Sequence, residues 1–352
     1  YYEGEMIKIK AMGLLPIECT PEHPILVMES GIFYDHNEYS EKCGRYIPIK
    51  KRRFLGLRWK RAQEVAVKKQ WQARDYLIIP RLKPRISKKS IPLNKFTSKW
   101  GSVVATHRQR KSMIFPLNEK SAWLLGLYVA EGYALNGIVF CLGKHESDLI
   151  EKTKDIIESL GYTPGTFDLS STARVYLPSR ILSRAFREWC GAKSYEKHIP
   201  DFILYHDDPK ILKAFLEGYL EGDGCRAKAP DRWVASTASK VLALQLQLLA
   251  ARLGKILSIR EEKPKKWRIE GRQGISGKQY IMQLPDINRK GFVFDDFIAV
   301  PVTSVERYYY QGSVYNLETG DNTYLVSNAV VHNCSFFSWC FLNYMPPVPE
   351  RI

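Results

Sequence analysis

Two similar stretches, LLGLYVAEG (124–132) and LEGYLEGDG (216–224), decide the architecture of the central part of the chain. Apolar residues recur in both at helical spacing, and each stretch is followed by a strand-like run and an amphipathic helix that ends in Leu-Gly, at 160–161 and 253–254. An internal repeat of this kind indicates two copies of one α+β unit. The sequence therefore predicts two halves related by a pseudo-twofold axis, an arrangement that suits a DNA reader with two half-sites.

Small residues lie on one face of each predicted helix. Gly126 and Ala130 are about one helical turn apart in the first copy, as are Gly218 and Gly222 in the second. Because glycine weakens a helix interior by roughly 1 kcal/mol, its presence there indicates close packing. We expect the two helices to cross on these faces with their backbones almost in contact.

An acid followed by glycine ends each helix, Glu131 in the first copy and Asp223 in the second. A carboxylate at a helix C-terminus faces the negative end of the dipole, which costs roughly 0.3–1 kcal/mol, and a divalent cation reverses that sign. If the helices cross on their small faces, the carboxylates come close together, which predicts a Mg²⁺ site for phosphodiester hydrolysis. The alternative is a pair of ordinary amphipathic helices with acidic ends.

Positive charge dominates the sequence. There are 53 Lys and Arg against 37 Asp and Glu, a formal net charge of +16. Residues 81–111 carry ten basic side chains and no acid, and residues 255–280 carry eight basic side chains against three acids. Such patches fit a polyphosphate partner, because each neutralised phosphate releases counterions. A solvated basic face or a patch for an anionic membrane is the alternative.

The paired motifs resemble those of the LAGLIDADG homing endonucleases, with Glu131 in place of the commoner aspartate. The resemblance implies that Glu131 and Asp223 bind metal, with two or more Mg²⁺ ions shared by the paired carboxylates. It also implies that both strands of a long, pseudo-symmetric site in double-stranded DNA are cut. Residue by residue, it covers Leu124, Gly126, Leu127, Ala130, Glu131 and Gly132, and then Leu216, Gly218, Gly222, Asp223 and Gly224.

The same family carries a lysine in a K-x-I-P block ahead of its second motif, which is matched here by Lys197 in SYEKHIPDFIL. The resemblance assigns Lys197 a catalytic role, in which a lysine near the scissile phosphate stabilises negative charge or tunes the attacking water. Lys290 follows Asp223 at nearly the spacing by which Lys197 follows Glu131. Lys290 is therefore a candidate by symmetry, and an ordinary surface lysine is the alternative.

The stretch TYLVSNAVVHNC (323–334) ends on three residues that can act on a peptide bond. Asn333 can attack its own backbone carbonyl with its side-chain amide and break the bond to Cys334, if His332 assists the leaving amine. Cys334 can serve as the nucleophile that accepts an upstream acyl group. By itself this triplet is also compatible with a plain loop that holds a buried cysteine.

This terminus resembles the C-terminal splicing blocks of inteins. The stretch LLPIECTPEHPILVM (14–28) resembles the upstream block with a T-x-x-H core, here Thr20 and His23. The resemblance implies that His23 activates the upstream scissile amide, and a turn histidine between strands is the alternative. The blocks occur in the family's order over residues 1–334, but the Cys or Ser that starts splicing is not in the sequence. Full splicing is therefore not expected of this chain alone.

The resemblance implies a multidomain fold: an all-β, horseshoe-like Hint splicing domain interrupted by an α+β LAGLIDADG endonuclease domain with pseudo-twofold symmetry. The β, mixed, β order of the sequence patterns favours the same organisation. The expected parts, in chain order, are the first part of the splicing domain without its first block (1–80), a basic linker or DNA-contacting arm (81–114), the endonuclease halves (115–208 and 209–299), the last part of the splicing domain (300–333) and the start of the downstream host segment, the C-extein (334–352).

The expected function is Asn cyclisation within an intein that also carries a site-specific DNA endonuclease. A DNA-binding intein with a decayed nuclease and an element that only splices are the alternatives. Seven cysteines without a C-x-x-C pair and no membrane-length apolar run favour a cytoplasmic protein without membrane contact. We expect a monomer whose partners are double-stranded DNA and the host exteins.

Overall fold

The computed structural model describes residues 1–67, 74–97, 113–169, 171–228, 231–269, 272–288 and 291–333. The chain divides into two compact units. Unit 1 comprises residues 1–82, 254–260 and 287–352, and unit 2 comprises residues 83–253 and 261–286. The residues of unit 2 thus interrupt unit 1 in sequence.

The helices are α1 (Glu119–Glu131), α2 (Ser147–Ser159), α3 (Arg180–Cys190), α4 (Asp201–Leu204), α5 (Pro209–Asp223) and α6 (Lys240–Arg252). The strands are β1 (Tyr2–Ala11), β2 (Ile17–Cys19), β3 (Pro24–Ser40), β4 (Arg45–Arg61), β5 (Arg74–Pro80), β6 (Ser90–Pro92), β7 (Ile114–Pro116), β8 (Gly132–Ala134), β9 (Ile138–Gly143), β10 (Gly165–Asp168), β11 (Thr172–Leu177), β12 (Cys225–Lys228), β13 (Asp231–Thr237), β14 (Ser258–Glu262), β15 (Lys266–Ile269), β16 (Arg272–Ile275), β17 (Gln279–Pro285), β18 (Phe292–Val293), β19 (Phe297–Gly312), β20 (Thr323–Val326) and β21 (Ala329–His332).

Unit 1 is built from strands that precede and strands that follow unit 2 in sequence. They form a nine-stranded sheet in the order β2-β1-β19-β5-β3-β21-β20, with β18 beside β19 and β4 beside β3. Strand β19 pairs with β5 through residues 297–301 and with β1 through residues 302–312. Because one strand changes partner halfway along its length, both ends of the described chain are tied into one sheet.

The core of unit 1 lies where β3, β5, β19 and β21 meet. Alternate residues of the strands point to the same side of a sheet, so apolar residues two apart build one face. The buried members of this core are Leu26, Met28, Tyr76, Ile78, Ala299 and Val330, with Phe54, Leu57, Trp59, Phe294 and Phe297 packed against them.

Unit 2 contains the repeat that the sequence predicts. Helix α1, two strands, helix α2 and two more strands are followed by α5, two strands, helix α6 and two more strands of a sheet. The two four-stranded sheets have corresponding orders, β10-β11-β9-β8 and β14-β17-β13-β12. The second half also contains the β15–β16 hairpin between its last two sheet strands. Unit 2 is therefore a mixed α/β fold of two similar halves.

Capping residues fix the ends of the two central helices. The side chain of Asn118 accepts a hydrogen bond from the Ser121 backbone N–H at the start of α1, and Asp208 does the same for Lys210 at the start of α5. Side-chain acceptors at this position satisfy N–H groups that have no partner within the helix. Residues Leu124 to Val129 of α1 are all buried, so this helix lies in the centre of unit 2.

The predicted basic arm, 81–114, is packed over part of its described length. Strand β6 pairs with β7, and the side chains of Leu93 and Phe96 are buried. Residues 98–112 lie outside the described residues. Residues 83–97 belong to unit 2, and contact of the basic linker or arm with DNA stays a prediction. Among the described residues, no helix is long and apolar enough to cross a membrane.

Candidate functional sites

Helices α1 and α5 cross with reciprocal backbone contacts. A β-carbon added at Gly126 would lie 2.1 Å from the carbonyl oxygen of Phe215, and one added at Gly218 would lie 2.1 Å from the carbonyl oxygen of Trp123. Real β-carbons are not found this close to a backbone oxygen, so only glycine fits at both positions. Each glycine faces the residue three positions before the other, which is the symmetry that the sequence predicts.

The crossing brings the C-termini of the two helices together. A β-carbon added at Gly222 would lie 2.6 Å from the Ala130 β-carbon and 3.2 Å from the Glu131 γ-carbon. The next residue of α5 is Asp223, and both helices end there, with Gly132 and Gly224 as the following residues. The two acids predicted as metal ligands thus lie at one end of a single helix pair.

The electrostatics of the two acids reflect this proximity. Burial and, secondly, the negative charge of Glu131 raise the pKa of Asp223, a hydrogen bond from Tyr219 and the charge of Lys197 lower it, and the net result is a pKa of about 7. Burial raises the pKa of Glu131 as well, and the charge of Glu146 adds to this effect. A carboxylate that loses water beside another carboxylate is destabilised in its charged form.

Lys197 is buried beside the end of α1. Its Nζ donates hydrogen bonds to the backbone oxygens of Tyr128, at 2.9 Å, and Gly132, at 2.8 Å, and it lies 3.6 Å from the centre of the Tyr128 ring. Burial lowers its pKa to about 8, and the nearby thiol of Cys190 and the carboxyl of Asp223 oppose that effect. The lysine therefore caps the α1 C-terminus and places positive charge near Asp223.

The pair Glu131 and Asp223 fits a divalent cation by its chemistry. Carboxylate oxygens are the ligands that Mg²⁺ and Ca²⁺ prefer, and a cation between them would offset both the mutual repulsion and the loss of water. Within the described ranges, no cluster of three or more His, Cys, Asp or Glu forms a complete protein cage. Mg²⁺ commonly takes one or two carboxylates and keeps its waters or substrate phosphates. Lys290, the symmetry candidate, lies outside the described residues.

A second group of candidate residues lies at the end of β21 in unit 1. His332 Nδ1 is 2.9 Å from the backbone carbonyl oxygen of Asn333, which can only accept, so a protonated Nδ1 donates there. The Asn333 side-chain amide donates to the side-chain oxygen of Asn322 at 2.9 Å, and the Asn333 backbone N–H donates to the Asn322 carbonyl at 2.8 Å. Cys334 lies outside the described residues.

His23 lies near this terminus because β21 pairs with β3, with Val331 opposite Ile25. Burial and, to a smaller extent, the charge of His332 together lower the pKa of His23 to about 4. The backbone N–H of His23 donates to the Thr20 carbonyl at 3.1 Å. Sequence positions more than three hundred residues apart are thus brought into one site.

Thr20 and His23 line an open cavity of about 580 Å³. Its wall is largely apolar and aromatic, with a few polar groups, a composition typical of pockets that bind small ligands. The other lining residues include Cys19, Tyr308, Tyr310, Tyr315, Asn316 and Tyr324.

The structure adds two neighbours of the predicted residues, Asn322 and Trp59. Asn322 contacts Asn333 because the β20–β21 hairpin pairs Thr323 with His332. The turn signal Ser-Asn at 327–328, where both residues have positive φ, could have given this register. Trp59 packs edge-on against His332, with 5.4 Å between ring centres, and no local signal predicts that contact.

The family comparison supports the α/β assignment of unit 2. Residues 210–284 match the model of the LAGLIDADG-like domain, a range that begins in α5 and ends in β17. A solved structure of I-DmoI in complex with DNA and Mn is similar over 47% of this chain and 89% of that chain, with 15% sequence identity and a TM-score of 0.35.

Relatives are similar over nearly the whole chain. The ATP-dependent DNA helicase Hel308 of Thermococcus kodakarensis is 31% identical over 373 residues, which cover 94% of this chain and 32% of that protein. The iron-sulfur cluster assembly SufBD family protein Rv1461 of Mycobacterium tuberculosis is 26% identical over 349 residues, which cover 95% of this chain and 37% of that protein. The chain thus spans about a third of the length of these relatives.

Proposed function

We propose that unit 2 is a metal-dependent endonuclease that cuts both strands of a double-stranded DNA site. The observation that carries the proposal is the glycine-mediated crossing of α1 and α5, which places Glu131 and Asp223 side by side at the end of the helix pair. Two acids related by a pseudo-twofold axis suit a duplex, whose strands are also related by twofold symmetry.

Each residue of the proposed site has a defined task. Glu131 and Asp223 would hold Mg²⁺, which when bound polarises the phosphoryl group and lowers the pKa of a water molecule. Lys197 holds the end of α1 through the carbonyls of Tyr128 and Gly132, so it fixes the position of the helix end on which Glu131 lies. Its positive charge near Asp223 also favours an anionic substrate at the site.

The charge of the chain supports a nucleic-acid partner. A net charge of +16 gives a salt-dependent attraction to duplex DNA that does not depend on sequence. The same charge would also support the rival, a DNA-binding element whose nuclease has decayed. Binding therefore does not discriminate the two, whereas metal-dependent cutting does.

The experiment for the nuclease uses a library of duplexes with long randomised inserts. The protein is incubated with the library in Mg²⁺, and the new DNA ends are sequenced. We expect breaks that recur at one sequence with wild type and in the Glu217→Gln control, an exposed acid of the same helix, and no such breaks with Asp223→Asn. Binding without recurrent breaks would identify the decayed nuclease, and recurrent breaks by Asp223→Asn would refute the assignment.

We also propose that unit 1 belongs to an intein and breaks the peptide bond after Asn333. The observation that favours this second function is the arrangement of Asn333, whose carbonyl oxygen lies 2.9 Å from His332 Nδ1 while Asn322 holds its side-chain amide. In the reaction, the Asn333 amide nitrogen bonds to its own carbonyl carbon, and the bond from that carbon to the next nitrogen breaks. The proton lost by the amide is balanced by the one that the leaving amine gains, and a succinimide remains.

In this proposal each residue around Asn333 has a separate chemical role. A protonated His332 Nδ1 stabilises the negative charge that develops on the Asn333 carbonyl oxygen during attack. His23 and Thr20, at the cavity of about 580 Å³, would act on an upstream peptide bond placed there. Buried and neutral near pH 7, His23 can accept or relay a proton.

The relatives support a mobile element. Nearly the whole chain is similar to about a third of a protein named as a DNA helicase and of another named as an iron-sulfur cluster assembly protein. These names describe unrelated activities, so the shared segment is better explained as an insert in different hosts than as a common catalytic domain. The host proteins would then be the partners of unit 1.

Intact-mass spectrometry tests the cleavage. The chain is incubated at neutral pH beside an Asn333→Ala control. We expect two products from wild type whose masses add up to that of the parent, because cyclisation consumes no water, and no products from the control. Products whose summed mass exceeds the parent by one water from the outset would show ordinary proteolysis, and an uncut chain would contradict cleavage by these residues alone. Neither result depends on DNA cutting, so the two proposed activities are tested separately.

A further inference from the structure

The outer part of the β3–β4 hairpin forms a two-stranded ribbon. Residues 27–30 of β3 pair with β5 as well as with β4, whereas residues 31–40 pair with β4 alone in the described structure. We call residues 31–54 the β-ribbon. A two-stranded ribbon is only marginally stable without further strands. Contact with a binding partner would stabilise this one.

The two faces of the β-ribbon differ in charge. In an antiparallel pair, directly opposite residues lie on the same face, and alternate residues share a face. On one face Asp35 forms ion pairs with Lys51, at 2.7 Å, and with Arg53, at 3.9 Å, while Arg53 also lies over the Phe33 ring. Lys51 and Arg53 of that face are therefore paired within the ribbon.

The opposite face carries cations and tyrosines without an acid. Lys50 lies opposite Tyr34, Arg52 lies opposite Ile32, and Tyr46 lies opposite Tyr39. The three tyrosines are exposed by 59%, 54% and 69% for Tyr34, Tyr39 and Tyr46, so this surface is not packed against described residues of the chain.

Several cations of the β-ribbon are available for a ligand. Lys50 lies on the face that carries the tyrosines, Lys42 lies in the turn at the end of the ribbon, and Arg45 lies beside that turn, opposite Ser40 on the other face. All three are exposed, and none of them forms an ion pair with a residue that the structure describes. Arg52 is held in place, since its Nη1 donates to the Tyr76 hydroxyl at 2.6 Å. The fixed Arg52 guanidinium, the unpaired Lys50 two residues away and the tyrosine hydroxyls offer donors to a row of anionic oxygens.

We propose that the β-ribbon binds the phosphate backbone of double-stranded DNA. Charge identifies the partner: unpaired cations lie at the turn end of the β-ribbon and on the face that carries the tyrosine hydroxyls, and phosphate contacts in protein–DNA complexes are made by Arg, Lys and Tyr. The proposal goes beyond the two activities above, because the β-ribbon lies in unit 1 and includes none of the residues assigned to either reaction. Unit 1 would thereby contribute affinity for DNA that does not depend on base sequence.

The experiment measures how binding to a random-sequence duplex depends on salt. A variant with Lys42→Ala, Arg45→Ala and Lys50→Ala is compared with wild type by fluorescence anisotropy over a range of KCl concentrations. All proteins also carry Asp223→Asn, so that DNA cutting does not affect the readout. The matched control is Lys8→Ala, Lys10→Ala and Arg307→Ala, which removes the same formal charge from cations that are paired with Glu18, Glu306 and Glu5.

We expect the slope of log K against log salt to fall by about 2–3 in the ribbon variant, since each lost phosphate contact removes about 0.9. Affinity at low salt should fall by at least 10-fold, while the control stays within about 2-fold of wild type. An unchanged slope would overturn the proposal, and so would equal losses in the ribbon variant and the control, because net charge would then explain both. Thermal melting of each variant checks that the fold is intact.

Vesicles that contain phosphatidylserine serve as the second probe. If the ribbon variant loses binding to vesicles but keeps its affinity for the duplex, the β-ribbon is a membrane-surface element and the proposal is wrong. If the ribbon variant binds vesicles as wild type does but loses affinity for the duplex, the proposal is supported. The proposed endonuclease could fail its own test without changing this result, because no cleavage is measured.

Discussion

Gly126 lies so close to Phe215 that a β-carbon there would be 2.1 Å from the Phe215 carbonyl oxygen. The contact is between two helix backbones, and neither can move aside as a flexible side chain would. The close spacing of the two helices, and with it the separation of Glu131 and Asp223, therefore depends on the absence of a side chain at Gly126 and at Gly218.

Replacing Gly126 by Ala should destabilise unit 2 by at least about 3 kcal/mol, above the usual cost of overpacking, because the clash is with backbone. Urea unfolding monitored by circular dichroism measures the loss. Gly277→Ala is the matched control, since nothing lies within 4 Å of a β-carbon there and its φ is not in the left-handed region. Equal stability of the two variants would contradict the tight crossing.

Glu131→Gln and Asp223→Asn should each lower DNA cutting by at least about 1,000-fold while leaving duplex affinity within a few-fold of wild type. Each change removes a carboxylate ligand for the cation but keeps the size of the side chain. Cleavage of the sequence recovered from the library, followed by gel electrophoresis, gives the rates. Full activity of Glu131→Gln would restrict the proposed site to Asp223.

Asn322→Gly should slow release of the segment after Asn333 by about 10-fold, since a hydrogen bond of about 1.4 kcal/mol that holds the attacking amide is lost. Glycine tolerates the backbone at this position, where φ is +59°, so the change removes the side chain without strain. Asn322→Asp keeps the acceptor oxygen and should stay near the wild-type rate. Time courses by mass spectrometry compare the three proteins, and a fast Gly variant would remove Asn322 from the mechanism.

His23 should make the stability of unit 1 depend on pH. Burial depresses its folded-state pKa from 6.5 to about 4. Neutral His23 therefore stabilises the fold at and above pH 6.5, and this contribution is lost as the pH falls from 6.5 towards 4. The full loss is about 3 kcal/mol.

Urea unfolding at pH 7.5 and pH 4.5 measures the effect, with His23→Gln as the control that cannot titrate. The difference in unfolding free energy between the two pH values should be smaller in the control by about 2–3 kcal/mol. If the two proteins lose the same free energy on acidification, His23 is not held neutral in the fold.

The helix pair could be predicted from the sequence because its signals are local. Four small residues at one-turn spacing and an acid before glycine are enough to give the crossing of α1 and α5 and the juxtaposition of Glu131 and Asp223. The K-x-I-P block predicted a role for Lys197. Its two hydrogen bonds to carbonyl oxygens at the end of α1 could not be predicted, because they depend on how residues far apart in sequence pack.

Unit 1 was harder to derive because its contacts are non-local. The contact between Trp59 and His332 requires β21 to lie beside β3, and no sequence pattern near either residue specifies that pairing. No sequence pattern predicts that β19 pairs with both β5 and β1, because its residues have the pattern of one continuous strand. Asn322 is the exception, because the turn at 327–328 could have set its register with Asn333.

The partner change within β19 has a consequence for the order of events during protein synthesis. Strands β1, β3 and β5 leave the ribosome before any residue of unit 2, but the sheet that they share with β19 and β21 cannot close until β21 has emerged. Loop-closure entropy grows only slowly with length, so a large insert delays this closure more than it weakens it. His23 is therefore synthesised before unit 2 and His332 after it, so a nascent chain cannot complete the site around Asn333 before unit 2 has been translated.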